Sequence, residues 1–267
     1  MRNVSYPTVV RGSQRRLAAK QQFTPHQGGI PLYYRYETHC HCNLASRCAH
    51  SSPAELVRAH HAAGYAGLVL TDHFIYGNTA VPGDLPWEKR MQCYYDAYLE
   101  AKKVGDELDF DVIFGIEHAY GGGLEVLCYG IDLPFLLQNP DIPNLDLKQF
   151  ADRVRAYGGI LIHAHPYRWA GEEFVLPMDC LDGIEVYNAG NSPDKNVLAL
   201  RKLGGLIPFS GGDVHKDDEP RVGKSGIALP YRVHSGTELV SALKRGDHRL
   251  IVKGRVLEVP TEADLTD

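Results

Sequence analysis

Short apolar segments alternate with segments of helical spacing along most of this chain, and this alternation limits its fold more than any other feature. The predicted strands are residues 33–39, 67–71, 111–116, 124–129, 159–163, 183–187 and 206–210. The predicted helices are residues 51–64, 87–105, 147–157, 194–203 and 236–245. Continuously apolar strands are typical of a parallel sheet that helices cover on both faces. The alternation therefore predicts β/α units, a parallel sheet and right-handed crossovers.

The number of units favours one closed barrel over an open sheet or two smaller domains. Six or seven units are predicted, and 267 residues with 44% hydrophobic content can bury a single large core. The sequence shows no repeated period and no internal linker. We expect a partly irregular N-terminal arm at residues 1–30, one barrel domain at residues 31–260 and a C-terminal tail at residues 261–267.

Charge and cysteine content argue against several classes of protein. A net charge of −5 disfavours a nucleic-acid partner, because broad contact with nucleic acid needs a basic face. The six cysteines show no CxxC spacing, so we expect reduced thiols rather than a disulfide scaffold or a zinc ribbon. No apolar run approaches the ~20 residues of a membrane span, and no apolar signal core is present. A soluble, cytoplasmic protein without a membrane partner is predicted.

Two histidines leave the same face of the first predicted strand. His39 and His41 are two positions apart, and alternate residues of a strand point to one side, so the pair can bind one metal ion. The same spacing recurs at Asp213 and His215, just after the seventh strand. Because one such pair alone is weak evidence, the other strand ends decide its meaning.

Further imidazoles and carboxylates stand at or near the carboxyl ends of the other predicted strands. They are Asp72, His73, Glu117, His118, His163, His165 and Glu185. In a β/α barrel, the strand ends and the loops after them form one mouth. Gathering such groups away from water is costly unless they are paired, and a metal cluster would pair them. His118 remains open, because it and Glu117 point to opposite faces of an extended strand.

The ordered set of strand-end motifs resembles the PHP (polymerase and histidinol phosphatase) family. The motifs are Glu37-Thr38-His39-Cys40-His41, Thr71-Asp72-His73, Gly115-Ile116-Glu117, His165-Pro166 and Gly212-Asp213-Val214-His215. All occur in the expected order, and the resemblance covers about residues 33–250. It implies an α/β fold with a single distorted (β/α)7 TIM-like barrel. It also implies an enzyme that hydrolyses phosphate esters with two or three divalent metal ions.

The matched motifs imply a set of metal ligands. These are His39, His41, His73, Glu117, His165, Asp213 and His215. By the resemblance, Glu117 would bridge two ions, His73 and His165 would serve the second or third ion, and His215 would complete the set. Ligands of this type suit Zn, Mn or Fe alike, so the identity of the metal stays open.

The chain departs from the family pattern at two places near the first motif. Glu37 stands where many members have aspartate, which keeps the charge and lengthens the side chain. Arg47 stands where enzymes with three metals often supply a histidine or an acid, and arginine stays protonated and cannot bind a cation. A third metal would therefore need Cys48 or His50 as a substitute ligand.

The resemblance and the residue types together predict a mechanism. Two close cations would lower the pKa of a bridging water, present hydroxide to phosphorus and offset the charge on the phosphate oxygens. Glu117 and Asp72 are the predicted catalytic residues, and Asp72 would act by orienting a ligand histidine. Arg168 is the main candidate for binding phosphate oxygens through its planar fork, and Arg47 is a second candidate at the same mouth.

The predicted function is a metal-dependent phosphoric ester hydrolase that acts on a small phosphorylated metabolite, as a histidinol-phosphatase-like phosphomonoesterase. A nuclease or nucleotide phosphodiesterase is the first alternative, because PHP domains also occur attached to DNA polymerases. A non-catalytic, metal-stabilised interaction module is the second, with Arg47 marking the loss of a ligand. A metallo-amidohydrolase is a further alternative, although the lysine that often bridges metals there has no evident strand-end equivalent.

Overall fold

The computed structural model describes residues 33–169 and 176–266, so the predicted arm at residues 1–30 lies outside the described residues. Within these ranges the chain forms ten strands and seven α-helices. The strands are β1 (Tyr34–Cys40), β2 (Gly67–Leu70), β3 (Asp111–Ala119), β4 (Glu125–Tyr129), β5 (Ile160–His163), β6 (Gly183–Asn188), β7 (Ile207–Gly211), β8 (Ser225–Leu229), β9 (Arg249–Val252) and β10 (Arg255–Leu257). The helices are α1 (Pro53–Ala62), α2 (Trp87–Glu107), α3 (Leu133–Gln138), α4 (Leu147–Tyr157), α5 (Pro193–Arg201), α6 (Gly236–Arg245) and α7 (Glu262–Thr266).

The strands form one curled sheet in the order β10-β9-β8-β1-β2-β3-β4-β5-β6-β7. Its curvature brings the chain after β7 back to β1. The N–H of His41 donates to the carbonyl of Val214 at 2.8 Å, and the N–H of Val214 donates to the carbonyl of His39 at 3.1 Å. The predicted mixed α/β class is therefore confirmed, whereas the count of seven β/α units stays a prediction.

The prediction of a parallel sheet was wrong for β4, and the antiparallel strands β8, β9 and β10 were not predicted. Strand β4 runs antiparallel to both β3 and β5. A link as short as residues 120–124 can only reverse the chain, because a parallel connection needs a dozen residues or more. Strands β9 and β10 form another hairpin, whose turn residues Lys253 and Gly254 have φ values of 51° and 81°. Such a pair suits a two-residue hairpin turn.

Local sequence signals fix the ends of the helices that surround the sheet. In α1, the Ser52 hydroxyl accepts the N–H of Glu55, and the Glu55 side chain accepts the N–H of Ser52. The same reciprocal cap joins Asp146 and Gln149 at the start of α4, which ends at Gly158 in the left-handed region. These caps satisfy backbone groups that a helix end leaves open. Among residues 33–169 and 176–266, we find no helix long and apolar enough to cross a membrane.

The two sides of strand β3 have different surroundings. Glu117 and His118 are both buried, but they point to opposite sides. The His118 ring packs 5.7 Å from that of Phe74 and 5.0 Å from that of Phe150. This apolar burial lowers the pKa of His118 to about 4. His118 is therefore a neutral core residue and lies away from the site.

We expect His118→Phe to flatten the dependence of stability on acid pH. The unfolded imidazole takes up a proton near its ordinary pKa, whereas the folded one does so only near 4, so stability falls as the pH drops from 6.5 towards 4. The loss attributable to His118 should reach about 3 kcal/mol. Urea unfolding at several pH values measures it, with the exposed His61→Phe as the control. A variant whose stability falls as steeply as that of the wild type would contradict the assignment.

Candidate metal centre

The carboxylate of Glu117 lies at the middle of a cluster of imidazoles. Glu117 Oε1 is 3.1 Å from His39 Nε2 and 2.9 Å from His165 Nε2. Its other oxygen, Oε2, is 2.7 Å from Nδ1 of His73. Glu117 has no exposed surface. Three histidines from three separate strand ends therefore converge on one buried carboxylate.

The remaining predicted ligands complete the cluster on the side of β1 and β7. His41 Nε2 is 3.0 Å from Asp213 Oδ1 and 3.1 Å from His39 Nε2. The His215 ring stacks on the ring of His41 with the centroids 4.6 Å apart. All seven side chains that the sequence predicts as ligands thus meet at one mouth. Their roles as ligands remain a proposal, which is argued below.

Unusual backbone geometry delivers two of these side chains. His165 and Asp213 have φ values of 27° and 52°, a region that non-glycine residues seldom adopt. Strain of this kind tends to collect at functional sites. At the neighbouring Gly211, an added Cβ would overlap the carboxylate of Glu185. The Gly211-Gly212 pair therefore leaves room for buried carboxylates beside the backbone.

Glu37 anchors the first histidine motif and does not point into the cluster. Its Oε1 accepts the N–H groups of Thr38, His39 and Gly212 at 2.9, 3.0 and 2.8 Å. Its Oε2 accepts the hydroxyl of Ser225 at 2.9 Å. A buried carboxylate needs such donors in place of water. Glu37 thus ties β1 to the chain that follows β7 and to β8.

Glu185 orients the ring of His39 through its Nδ1 atom. Glu185 Oε1 lies 2.9 Å from Nδ1 of His39, and its Oε2 accepts the N–H of His165 at 2.6 Å and the side-chain amide of Asn188 at 2.8 Å. An imidazole that donates Nδ1–H to a carboxylate presents Nε2 to a metal. Glu185 is therefore a positioning residue, which the sequence analysis placed at the mouth without assigning it a role.

Glu125 is the residue that sequence reasoning missed most clearly. It opens β4, and its two oxygens lie 3.6 Å from His73 Nδ1 and 3.2 Å from His165 Nε2. Because β4 is antiparallel, its first residue stands beside the carboxyl ends of β3 and β5. The short link between β3 and β4 was the signal that could have revealed this reversal.

The predicted catalytic residue Asp72 faces the loop after β1. It accepts the N–H of Cys42 and the hydroxyl of Ser46, each at 2.7 Å, and the thiol of Cys42 at 3.0 Å. Ser46 Oγ lies 3.4 Å from Nδ1 of His41 and accepts the N–H of His73 at 3.0 Å. Burial raises the pKa of Asp72. Asp72 is therefore hydrogen-bonded to the Ser46 hydroxyl that contacts His41 and His73.

The two predicted phosphate-binding arginines occupy different environments. The guanidinium of Arg168 donates to Asp213, to Asn188 at 2.6 Å and to Asn191 at 2.9 Å. It therefore braces a side chain of the cluster itself. Arg47 is exposed, and its backbone N–H donates to Asn78 at 2.9 Å.

Cys48 joins the cluster from the loop that carries Arg47. Its Sγ is 3.1 Å from His215 Nε2, while Nδ1 of His215 lies 2.8 Å from the carbonyl of Asp213. Burial would raise the pKa of the Cys48 thiol, but hydrogen bonds with His215 and His73 lower it to about 6. The notion of Cys48 as a substitute for the missing ligand at Arg47 thus has a geometric basis.

The carboxylates and imidazoles of the cluster shift one another's pKa values. Burial alone would raise the pKa of Glu117, but His73 and His39 hold it well below the ordinary range. Burial would likewise lower the pKa of His73 and His165, yet Glu117 and neighbouring groups raise them to about 11 and about 9. Metal binding needs neutral imidazoles, so cations and protons compete for the same nitrogens.

The donor set fits divalent cations. Among the described residues, the buried atoms His73 Nδ1 and Glu117 Oε2 have no hydrogen-bond partner of acceptable geometry. The described residues include three groups in which the ligand atoms of all members lie within 4.8 Å of one another. These groups are His41 with His73 and His215, His39 with His41 and Glu117, and His73 with Glu117 and Glu125. Imidazole nitrogens and carboxylate oxygens at such spacing are the ligands of Zn, Mn and Fe sites.

Comparison with known proteins yields likeness in structure only. No protein-family model and no curated protein matches the chain. A two-domain protein of Bacteroides vulgatus ATCC 8482, containing a predicted PHP-like metal-dependent phosphoesterase, aligns with TM-score 0.60 and 15% identity over 84% of this chain and 66% of that one. The lesion-specific Endonuclease Q of Pyrococcus furiosus aligns with TM-score 0.60 and 11% identity over 82% of this chain and 58% of that one.

A third structure extends the same likeness. Endonuclease Q in complex with a 27-mer duplex substrate that has an abasic lesion at the active site aligns with TM-score 0.57 and 11% identity, over 80% of this chain and 57% of that one. The chain thus spans two thirds or less of the length of these three proteins. Its fold is that of PHP-like proteins, so the predicted resemblance is confirmed at the level of the fold.

We expect Glu185→Gln to weaken metal binding without unfolding the chain. The amide keeps the shape but removes the charge that would make His39 a better metal ligand. Residues that support a ligand in this way typically contribute about 10- to 100-fold in metal affinity. Titration with Zn²⁺ against a competing chelator measures the loss. The exposed Glu262→Gln, which breaks the surface pair with Arg201, is the matched control. Equal affinities in the two variants would contradict the role assigned to Glu185.

Proposed function

We propose that this protein is a metal-dependent phosphoesterase. The observation that carries the proposal is the buried Glu117 carboxylate, which lies within 3.1 Å of nitrogens from His39, His73 and His165. A carboxylate so placed can bridge two cations. The PHP-like phosphoesterase and the endonucleases that share the fold support a hydrolytic reaction on phosphate esters. The (β/α)7 description of the barrel is part of the same proposal.

The proposed ligands divide between two or three ions. His39, His41, Glu117 and Asp213 would hold one ion, and His73, His165, His215 and Glu125 would serve the others. Bound divalent ions would supply a Lewis acid for the phosphate oxygens and a water with a lowered pKa. The resemblance implies two or three ions, and the donor chemistry suits Zn, Mn or Fe alike.

The protein's own groups would fix the ligands and receive the phosphate. Glu185 and Glu37 hold the strand that carries His39. Arg168 braces Asp213 and has a planar fork suited to a phosphate that approaches the same edge. Arg47, exposed on the neighbouring loop, can contact a larger substrate from the rim. Asp72 acts at a distance, by holding Ser46 against His41 and His73.

A small phosphorylated metabolite, in the manner of a histidinol phosphatase, is the substrate we propose first. The net charge of −5 supports it over a long nucleic acid. A nuclease is the second candidate, and the specific observation in its favour is the likeness to Endonuclease Q bound to a DNA duplex. A likeness in fold does not choose between these substrates.

Metal analysis with a matched variant tests the enzymatic proposal. We expect two or more metal ions per chain in the wild type, and fewer in Glu117→Ala. Hydrolysis should fall by more than the ~100-fold typical of residues that only support ligands. Elemental analysis and a phosphomonoester assay on the same preparation measure both, with the exposed Glu100→Ala as the control. A wild type that stays metal-free and inactive after addition of Mn²⁺ or Zn²⁺ would refute the enzymatic proposal, whereas one that binds metal without hydrolysis would favour the metal-stabilised interaction module.

A substrate panel separates the two phosphoesterase candidates. We expect rapid release of inorganic phosphate from small monoesters such as histidinol phosphate. We expect little cleavage of a duplex with an abasic lesion, because an acidic protein gains little from binding many phosphates. Gel analysis of the labelled duplex and phosphate release from the monoesters are the two readouts. Efficient cleavage of the duplex, lost in Glu117→Ala, would make the nuclease the better assignment.

A further inference from the structure

The loop between β1 and α1 presents a thiol to the histidine cluster. Backbone hydrogen bonds hold this loop at both ends, from Asn43 N–H to Ser51 at 2.9 Å and from His50 N–H to His215 at 2.9 Å. The hydroxyl of Ser46 is fixed on Asp72 at 2.7 Å. Cys48 therefore stands in a braced segment, with its Sγ 3.1 Å from Nε2 of His215.

Three imidazoles surround the position that this thiol faces. Ligand atoms of His41, His73 and His215 all lie within 4.8 Å of one another. The rings of His73 and His215 flank that of His41, at centroid distances of 4.4 and 4.6 Å. His73 is nine-tenths buried, and its Nδ1 lies 2.7 Å from Glu117 Oε2, so His73 also borders the carboxylates of the centre. This end of the centre is therefore rich in nitrogen and sulfur donors.

The part of the centre beside Glu117 and Glu125 has a different chemistry. There the carboxylates of Glu117 and Glu125 both approach His165 Nε2, at 2.9 and 3.2 Å. Thiolate ligands favour zinc and other thiophilic ions, whereas carboxylates also suit harder ions such as manganese. The two ends thus differ in the ions that they should prefer.

We propose that Cys48 is a thiolate ligand, which completes a thiophilic metal position with His73 and His215. This inference rests on the proposed metal centre, and it concerns one position within it. Arg47 cannot bind a cation, and the adjacent Cys48 supplies the missing donor from the same loop. The thiolate position selects Zn²⁺ or Cd²⁺, and the carboxylate end accepts Mn²⁺. The centre thus contains one position that prefers thiophilic ions and another that accepts harder ions.

Spectroscopy of the metal-loaded full chain tests the thiolate directly. Chelator-treated protein is loaded with Co²⁺, whose bond to sulfur gives a charge-transfer band in the near ultraviolet, and with ¹¹³Cd²⁺ for NMR. We expect the band, and a cadmium resonance far downfield of those from nitrogen and oxygen ligands. Both should disappear in Cys48→Ser and persist in Cys93→Ser, which changes a cysteine in α2. Zn²⁺ affinity of the tightest position should fall at least about tenfold in Cys48→Ser, with Mn²⁺ affinity unchanged.

A second measurement avoids substitution altogether. In the wild type, Cd²⁺ should protect Cys48 from alkylation by iodoacetamide, whereas Cys93 should react equally with and without the metal, as peptide mass spectrometry would show. Metal that binds without a sulfur signal and without protection of Cys48 overturns the proposal, as does a chain that binds no Co²⁺ or Cd²⁺. These readouts do not depend on turnover. A sulfur signal in a protein that hydrolyses no phosphate ester would uphold the Cys48 site and refute the proposed function.

Discussion

The burial of one carboxylate governs the rest of this structure. Glu117 is shielded from water, so its charge must be offset by groups that approach within hydrogen-bonding distance. Three imidazoles do so at 2.7 to 3.1 Å, and each arrives from a different strand end. Their own positions depend in turn on buried acids, since Glu185 orients His39 and Glu37 fixes its backbone. Buried acids and imidazoles at the mouth therefore hold one another in position.

Much of this arrangement could be read from the sequence, because residue spacing and strand ends are local signals. The pair His39 and His41 follows from alternation along β1, and the parallel strands place their carboxyl ends together. Glu125 could not be found in this way, because its place depends on the reversal of β4. The sequence analysis named Cys48 as a substitute ligand beside His50, but spacing could not show its contact with His215. This contact joins residues that are brought together only when the sheet curls and β7 returns to β1.

Likeness in fold carries only part of the functional argument. The PHP-like protein of Bacteroides vulgatus and Endonuclease Q share this fold at 15% and 11% identity, yet their described activities differ. A common scaffold can present similar ligands to different phosphate esters, so the choice of substrate depends on the rim. In this chain the rim holds the exposed Arg47, and Arg168 at its edge already braces Asp213. Arg47 and Arg168 are therefore the residues through which we propose that this protein contacts its substrate.

The tip of the hairpin between β3 and β4 is a place where the chain can be lengthened. The tip consists of Gly121, Gly122 and Gly123, all with positive φ, and Gly123 lies against the ring of Trp169, which is 69% exposed. A tip of this kind carries no side chain of the core, so insertions there cost little stability. The strands on either side hold Glu117 and Glu125 in place. A longer loop at this tip would therefore leave the positions of Glu117 and Glu125 unchanged.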